Sequence, residues 1–219
     1  MEPDLVTQTW FDGYFLEIFP AKRRGYSGTG LMYRSNLKPI EISHGMGAEE
    51  FDDEGRVMSA IFDQFELVNV YAPHSHRELK NLEKKLRFAD AILRFIAEKC
   101  AKAAGKPIIL SGDLNVAAEE RDVFHHRTNH GNACFHDLER AWFQRLLRLG
   151  MIDALREITP EAGVYSWWSQ LPGVKMKNIG WRLDYFLVCK ALQNNILDCY
   201  HSPKAVGSDH CPVSVKLKM

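Results

Sequence analysis

The segment 107–115, with the sequence PIILSGDLN, constrains the fold of this chain more than any other. Its apolar run stops at Ser-Gly, which predicts a buried strand followed directly by Asp113 and Asn115. Ligands of α/β proteins bind at the carboxyl ends of strands, so we expect both side chains in one small site. Asp113 can accept a proton or hold a metal or a water, and Asn115 can both donate and accept hydrogen bonds. Gly-Asp-x-Asn is also common turn chemistry, so a turn without a function is the alternative from these residues alone.

Composition sets broad limits on the class of protein. The chain has 219 residues, 28 basic and 28 acidic, and a formal net charge of +0. This charge selects no partner, so nucleic acid is neither required nor excluded, and any polyanion would need a local basic surface. No segment approaches the ~18 apolar residues of a membrane span, and the N-terminus has no signal-peptide pattern. We therefore expect an intracellular protein that does not bind membranes.

The five cysteines show no Cys-x-x-Cys spacing and lie mostly in apolar segments. This pattern indicates reduced, buried thiols rather than disulfides or a zinc site. The cysteines are Cys100, Cys134, Cys189, Cys199 and Cys211.

Hydrophobic periodicity predicts strands mixed with helices along one domain that covers 1–219, which indicates an α/β layered fold. Apolar residues at spacings of four and three predict an amphipathic helix over 77–102, with its intervening charges in water. A second helix is expected over 138–149. Strands are expected at 14–19, 30–33, 57–62, 65–71, 107–113, 185–189 and 213–217, with a hairpin through 63–64 and a further candidate strand within 1–9.

Two polar segments have alternative interpretations. The segment 22–28, KRRGYSG, places three cations beside a glycine-rich loop and is either a solvated turn or a phosphate-contacting loop. The segment 119–136 is long for a connection, which favours a functional loop. Its histidines match no closed four-ligand site, so we interpret the segment as solvated rather than as a metal centre.

Five polar residues are predicted to lie at strand ends, where distant parts of a chain converge: Asp113, Asn115, Asp184, Asp209 and His210. Together they supply metal-binding carboxylates, an acid to orient a water and an imidazole to contact a phosphate. Phosphodiester hydrolysis needs this combination of groups.

Three motifs carry a family resemblance: GDLN at 112–115, GWRLDYF at 180–186 and GSDHCP at 207–212. In combination they resemble the exonuclease III family of abasic-site (AP) endonucleases, within the endonuclease/exonuclease/phosphatase superfamily, from about Glu17 to the C-terminus. The resemblance implies a four-layer α/β sandwich of two packed β-sheets flanked by helices. It also implies a monomeric DNA-repair enzyme, cytoplasmic and nucleoid-associated or nuclear, that acts on double-stranded DNA with abasic sites.

The implied reaction is Mg²⁺-dependent hydrolysis of the phosphodiester 5′ to the abasic site, with Mn²⁺ as an alternative metal. Activity as a 3′–5′ exonuclease or 3′-phosphodiesterase is implied as well. A non-catalytic or impaired nucleic-acid-binding relative is the alternative. A superfamily phosphatase acting on a small molecule or lipid fits the tryptophans and the asparagines of 119–136 less well.

The resemblance also implies a role for each catalytic residue. Asp113 would orient and deprotonate the attacking water, with Asn115 beside it. His210 would hydrogen-bond the scissile phosphate with Asp184 as its partner, and Tyr71 would contact the same phosphate.

Metal and DNA contacts follow from the same resemblance. The implied metal ligands are Asp209, Asp113 and Asn115. Trp167, Trp181 and Leu183 would form the pocket for the extrahelical sugar, although core packing is the alternative for both tryptophans. The remaining implied DNA contacts are Asn129 and Asn132 on the backbone, Arg77 and Leu171 at the lesion, and Tyr26.

One departure from the family pattern concerns the start of the chain. Family members begin with a strand carrying an Asn, and their next strand ends in Leu-Gln-Glu-Thr, whose Glu is the principal metal ligand. Here we expect the first strand to be missing, and the corresponding segment 6–9 reads VTQT without a Glu. An exposed sheet edge and weaker Mg²⁺ binding are therefore expected. Glu17 and Glu54 are the candidates for a replacement ligand.

Overall fold

A computed structural model describes residues 12–101 and 105–219. The candidate strand within 1–9, the segment 6–9 and the expected loss of a first strand all lie outside these residues. The strands are β1 (Tyr14–Phe19), β2 (Thr29–Arg34), β3 (Glu41–His44), β4 (Val57–Ile61), β5 (Glu66–Tyr71), β6 (Ile108–Asp113), β7 (Met151–Asp153), β8 (Trp167–Trp168), β9 (Gly180–Trp181), β10 (Asp184–Cys189), β11 (Ile196–His201) and β12 (Val213–Leu217). The helices are α1 (Glu49–Asp52), α2 (Leu82–Ala101), α3 (His126–Asn129), α4 (Asp137–Arg148) and α5 (Ala154–Ile158), with 3₁₀ turns at Arg77–Leu79, Glu120–Asp122 and Lys190–Asn195.

A mixed sheet of six strands forms the centre of the fold, in the order β3-β4-β5-β6-β10-β7. The expected hairpin is confirmed, since β4 pairs antiparallel with β5. β5 and β6 are parallel, whereas β10 runs antiparallel to β6. The carboxyl ends of β5 and β6 therefore meet the amino end of β10 at one edge of the sheet.

The two faces of the central sheet carry different layers. Ile108 and Leu110 pack on one face with residues of α2 and α4, and Ile109 between them points to the other face. That second face is covered by the ribbon β1–β2, which contacts β4 and β5, and by the ribbon β11–β12, which contacts β10. The predicted α/β fold of β layers flanked by helices is confirmed. Within the described residues the second β layer is two separate ribbons, because they lie over opposite parts of the central sheet.

The helix predicted over 77–102 begins later than expected. His76 and Glu78 have left-handed φ values of 59° and 57°, which no α-helix of L-residues sustains. Residues 77–79 therefore form a separate 3₁₀ turn, and α2 starts at Leu82. The expectation that all its charges face water is wrong for Lys85, which is 0% exposed.

The cysteine and membrane expectations can also be compared with the fold. Cys134, Cys199 and Cys211 are buried free thiols, as predicted, whereas Cys189 is half-buried. Cys100, in the last turn of α2, is exposed, although it follows the buried Ile96 by four residues on the same face of the helix. Among the described helices, none has the length and apolar character that a membrane span requires.

A buried ionic cluster fixes the segment between β9 and β10. Arg182 is 1% exposed and donates to Asp122 Oδ1 at 2.8 Å and to Asp153 Oδ2 at 2.6 Å. Arg156 also donates to Asp122. Burial favours the neutral acid, yet the two guanidinium groups outweigh it and lower the pKa of Asp122. The cluster joins the turn at 120–122, β7 and α5 to the strand that carries Asp184.

Replacing Arg182 by Leu should lower the free energy of unfolding by about 3–5 kcal/mol, because the buried carboxylate of Asp153 loses its counter-charge and that of Asp122 keeps only Arg156. Urea denaturation measures the effect. Arg145→Leu is the matched control, since Arg145 pairs with Asp90 at 2.8 Å on the exposed surface. That change should cost no more than about 1 kcal/mol. Equal losses in the two variants would show that the buried cluster has no special role.

Candidate active site

Three predicted site residues form a row across neighbouring strands. Tyr71 lies opposite Asp113 in the parallel pair β5–β6, and Asp113 lies opposite Asp184 in the antiparallel pair β6–β10. Adjacent strands are about 4.8 Å apart, so the three backbone positions are close neighbours. The strand ends thus bring together residues that are far apart in sequence, as predicted.

Gly112 permits this close approach. Its φ of +129° is unfavourable for other residues, and a Cβ added here would lie 2.0 Å from the carbonyl oxygen of Val70. No side chain fits between β5 and β6 at this position. The glycine before Asp113 is therefore required by the strand packing.

Asp184 pairs with His210, as the resemblance implied. The distance from His210 Nδ1 to Asp184 Oδ2 is 2.7 Å. Burial opposes the charge on the imidazole, but the hydrogen bond and the negative charge of Asp184 raise the pKa of His210 to about 9. The ring is consequently a cation near neutral pH, and its Nε2–H remains as a donor toward a bound anion.

The charge of Asp184 has the opposite effect on Asp113, because it disfavours the ionised form of a second carboxyl group. Burial and the neighbouring charge of Asp184 raise its pKa to about 7, although the positive charge of His210 acts against them. The backbone N–H of Asn115 donates to Asp113 Oδ1 at 2.8 Å. A carboxylate with this pKa can accept and release a proton near neutral pH.

Asn115 is held by the protein. It adopts a left-handed φ of 49° and is 4% exposed. Its Nδ2 donates to the carbonyl oxygen of Ala72 at 2.9 Å, and its Oδ1 accepts from Cys134 Sγ at 3.8 Å. The side chain predicted to contact substrate or metal thus also ties the turn after β6 to the end of β5.

Asp209 is oriented by the tryptophan segment. Trp167 Nε1 donates to Asp209 Oδ2 at 3.0 Å, and the backbone N–H of Trp168 donates to the Asp209 carbonyl at the same distance.

Burial and then the charges of Asp113 and Asp209 raise the pKa of Tyr71, although Arg56 acts in the opposite direction. Negative charge from separate segments therefore converges on Tyr71.

The donor set suits a hard divalent cation with few protein ligands. In 12–101 and 105–219, no three His, Cys, Asp or Glu side chains form a closed metal site. Asp113 lies beside Asn115, and the charges of Asp113 and Asp209 both act on Tyr71 and on His210. Mg²⁺ commonly keeps several waters beside one or two carboxylates. Both candidate replacement ligands already have partners: Glu17 contacts the His44 imidazole at 3.1 Å, and Glu54 contacts the cations of Arg56 and Lys84 at 2.6 and 2.5 Å.

Arg56 is a site component that the sequence did not reveal. It is buried, and its Nη1 donates to the Tyr71 carbonyl at 3.0 Å. Its guanidinium carbon lies 5.1 Å from the centre of the Tyr71 ring and 5.7 Å from that of Tyr26. Tyr26 therefore lies beside the row. An Arg ahead of an apolar strand is too common a pattern to have indicated this.

Trp167 and Trp181 are paired across the ribbon β8–β9 and are half-buried. Leu183 lies in the cluster beneath them with Val123 and Phe135, and it is only 4% exposed. The tryptophans thus form a partly open apolar surface beside Asp209. Leu183 supports this surface from the core.

The remaining residues predicted to contact DNA lie in the short helix α3 and the loop after it, in the 3₁₀ turn at Arg77 and in the loop at Leu171. Asn132 Nδ2 donates to Asn129 Oδ1 at 3.2 Å, and Asn129 Nδ2 donates to the His125 carbonyl at 3.0 Å. Leu171 is 69% exposed, and Arg77 is exposed in its 3₁₀ turn.

Polar side chains in the segments 119–136 and 22–28 face nearby acids. His126 faces Glu120 at 3.5 Å and His130 faces Asp137 at 3.2 Å, consistent with the predicted solvated loop. In the glycine-rich loop, Lys22 pairs with Asp53 at 2.6 Å.

Comparisons of the sequence and of the structure with known proteins point to one family. The model of the endonuclease/exonuclease/phosphatase family matches residues 2–210. An exodeoxyribonuclease from Bacillus subtilis is 42% identical over 196 residues, which are 89% of this chain and 76% of that protein. The DNA repair nuclease APEX1 of Danio rerio is 39% identical over 89% of this chain and 62% of its own length.

A solved AP endonuclease from Leishmania major superimposes with a TM-score of 0.84 at 31% identity, covering 95% of this chain and 71% of that one. Sequence motifs, strand-end geometry and overall fold therefore agree. The chain belongs to the endonuclease/exonuclease/phosphatase family, a family of divalent-metal-dependent nucleases, on its branch of exodeoxyribonucleases and AP endonucleases.

Proposed function

We propose that this protein is a DNA-repair AP endonuclease that hydrolyses the phosphodiester 5′ to an abasic site in double-stranded DNA. The observation that supports this best is the row Tyr71–Asp113–Asp184 with His210 bonded to Asp184 at 2.7 Å. A single domain over 1–219, acting as an intracellular monomer, carries the activity. Exonuclease activity in the 3′–5′ direction uses the same residues on a strand end.

In the proposed mechanism, Asp113 takes the proton from the attacking water. The water oxygen forms the new bond to phosphorus and the bond from phosphorus to the 3′-oxygen breaks, so the phosphate stays on the abasic sugar. The departing 3′-oxygen takes a proton from solvent to become a 3′-hydroxyl, and Asp113 releases its proton to solvent. His210, held as a cation by Asp184, donates from Nε2 to a phosphate oxygen and stabilises the charge that develops there. Tyr71 contacts the same phosphate, and Asn115 keeps Asp113 oriented.

Mg²⁺, with Mn²⁺ as a substitute, is the proposed metal, and Asp209, Asp113 and Asn115 are its proposed ligands. When bound, the cation supplies Lewis-acid stabilisation of the phosphate oxygens. With only these three protein ligands, water and substrate phosphate would complete the coordination of the bound cation.

The surface around the row suits DNA. Asn129, Asn132 and Tyr26 are proposed to contact the backbone, and Arg77 and Leu171 to reach the DNA at the lesion. Trp167 and Trp181 form the proposed pocket for the extrahelical sugar, with Leu183 beneath them.

A nucleic-acid-binding relative with impaired catalysis is the second candidate, favoured by the segment 6–9 without a Glu. Cleavage of a duplex with one tetrahydrofuran abasic analogue separates the candidates. We expect Mg²⁺-dependent incision 5′ to the analogue by the parent protein, and no incision in EDTA.

In the same assay Asp113→Asn should reduce turnover by at least about 10²-fold, because it removes the proton acceptor. Its affinity for the duplex, measured by fluorescence anisotropy, should be unchanged or higher, since repulsion of phosphate falls. Specific duplex binding without incision by the parent protein at any Mg²⁺ concentration would favour the impaired relative. Parental turnover by Asp113→Asn would contradict the role of this residue.

Leu171 and Leu183 allow a paired test of surface contact against core support. Leu183→Ala should lower the free energy of unfolding by about 2–5 kcal/mol, because it opens a cavity in a buried cluster. Leu171→Ala should change it by less than about 0.5 kcal/mol, since the side chain is exposed.

Only Leu171→Ala should weaken binding to abasic DNA relative to intact DNA without loss of stability, as measured by anisotropy with both duplexes. If the Leu171→Ala and parent proteins have the same ratio of affinities for abasic and intact DNA, Leu171 does not contact the lesion.

A further inference from the structure

A fully buried ion pair lies directly behind the catalytic row. Lys85 on α2 and Glu139 on α4 are both 0% exposed, and Lys85 Nζ lies 2.8 Å from Glu139 Oε1. Lys85 Nζ also donates to the backbone carbonyl of Asn115. Neither charged group has a part in the proposed chemistry.

The pair connects separate parts of the site. Glu139 Oε1 accepts from Ser75 Oγ at 2.7 Å, in the segment that leaves β5 after Tyr71. Glu139 Oε2 accepts from the backbone N–H of His136 at 3.1 Å, which caps the start of α4. The segment after β5, the turn after β6 and both large helices thus meet at one ion pair.

The turn after β6 needs support from both sides. Asn115 holds a left-handed φ of 49°, a conformation that L-residues other than glycine adopt at a cost. Its N–H donates to Asp113 Oδ1, and its carbonyl accepts from Lys85. Its side chain is fixed by the carbonyl of Ala72. Lys85 is therefore a charged donor to the carbonyl of Asn115, and the N–H of the same residue orients Asp113.

Stability alone is a poor reason for such a pair. Apolar or neutral groups of similar size are often as stable as a buried ion pair, because the desolvation of two charges offsets their attraction. We propose that Lys85 and Glu139 are positioning residues, which hold the Asn115 turn so that Asp113 faces the attacking water. This inference rests on the proposed hydrolytic function and names two further residues for it.

The test removes both charges at once. Lys85→Met or Glu139→Gln alone leaves one buried charge unpaired, and each should lower the melting temperature by about 6–15 °C. In the double variant Lys85→Met/Glu139→Gln the amide oxygen can accept from the His136 N–H while the amide NH2 donates to Ser75 Oγ, so most of that loss should be recovered. The Asn115 carbonyl stays without its charged donor.

We expect the double variant to have kcat on the tetrahydrofuran duplex about 10–100-fold below that of the parent, with KM within about twofold. Lys85→Arg should keep kcat within about threefold, because a guanidinium can donate to both Glu139 and the Asn115 carbonyl. The matched control is Lys99→Met/Glu66→Gln. This 2.5 Å ion pair joins the other end of α2 to the start of β5, so its removal should leave kcat unchanged.

Hydrogen exchange provides a readout that does not depend on activity. The amides of residues 113–116 should exchange at least about tenfold faster in the double variant, while those of 108–111 keep parental rates. If the parent protein is inactive, the proposed function is overturned, but the exchange measurement can still be made and interpreted.

Three results would overturn the positioning role. The first is a folded double variant with parental kcat and parental exchange at 113–116. The second is a double variant that fails to fold, because the pair would then serve the whole fold. The third is a tenfold loss of kcat in a stable Lys85→Arg variant.

Discussion

The carboxylate of Asp184 is the group on which the candidate site depends. It lies beside Asp113 across the β6–β10 pair and accepts from His210, so one negative charge acts on both neighbours. It helps to raise the pKa of Asp113 to about 7 and that of His210 to about 9. A base that can take a proton near neutral pH and a cation that can face phosphate thus arise from one shared partner. Both roles belong to the proposed mechanism.

Two buried ionic clusters hold this arrangement from behind. Arg182 fixes the segment that leads into Asp184 by bonding Asp122 and Asp153. Lys85 and Glu139 lie under the Asn115 turn, which in turn orients Asp113. Unpaired charges are costly in a protein interior, so each cluster admits few alternative arrangements of the strand ends it contacts. Rigid support of this kind suits a site whose chemistry depends on the placement of a water and a phosphate.

The sequence predicted the elements with strong periodicity and missed features set by local backbone strain. The strand before Asp113, the 63–64 hairpin and the helix of Leu138 to Leu149 appear where apolar spacing placed them. The start of α2 was predicted five residues early, because the left-handed residues at 76 and 78 leave no mark on hydrophobic spacing. The apolar spacing places Lys85 toward solvent, since a helix pattern alone cannot show that a second helix covers one of its charges.

The family, the α/β class and the polar residues at the strand ends follow from the amino-acid sequence, because these depend on short motifs and on local periodicity. Which of those residues touch depends on the tertiary structure. The register of β5, β6 and β10 aligned Tyr71, Asp113 and Asp184, and the bridge to Trp167 brought His210 to the same edge. Only folding could reveal Arg56, Lys85 and Glu139 as partners of the site. Nothing in the sequence distinguishes these charged residues from others of the same type. In the folded protein, burial removes water from them, so each has a fixed set of protein partners.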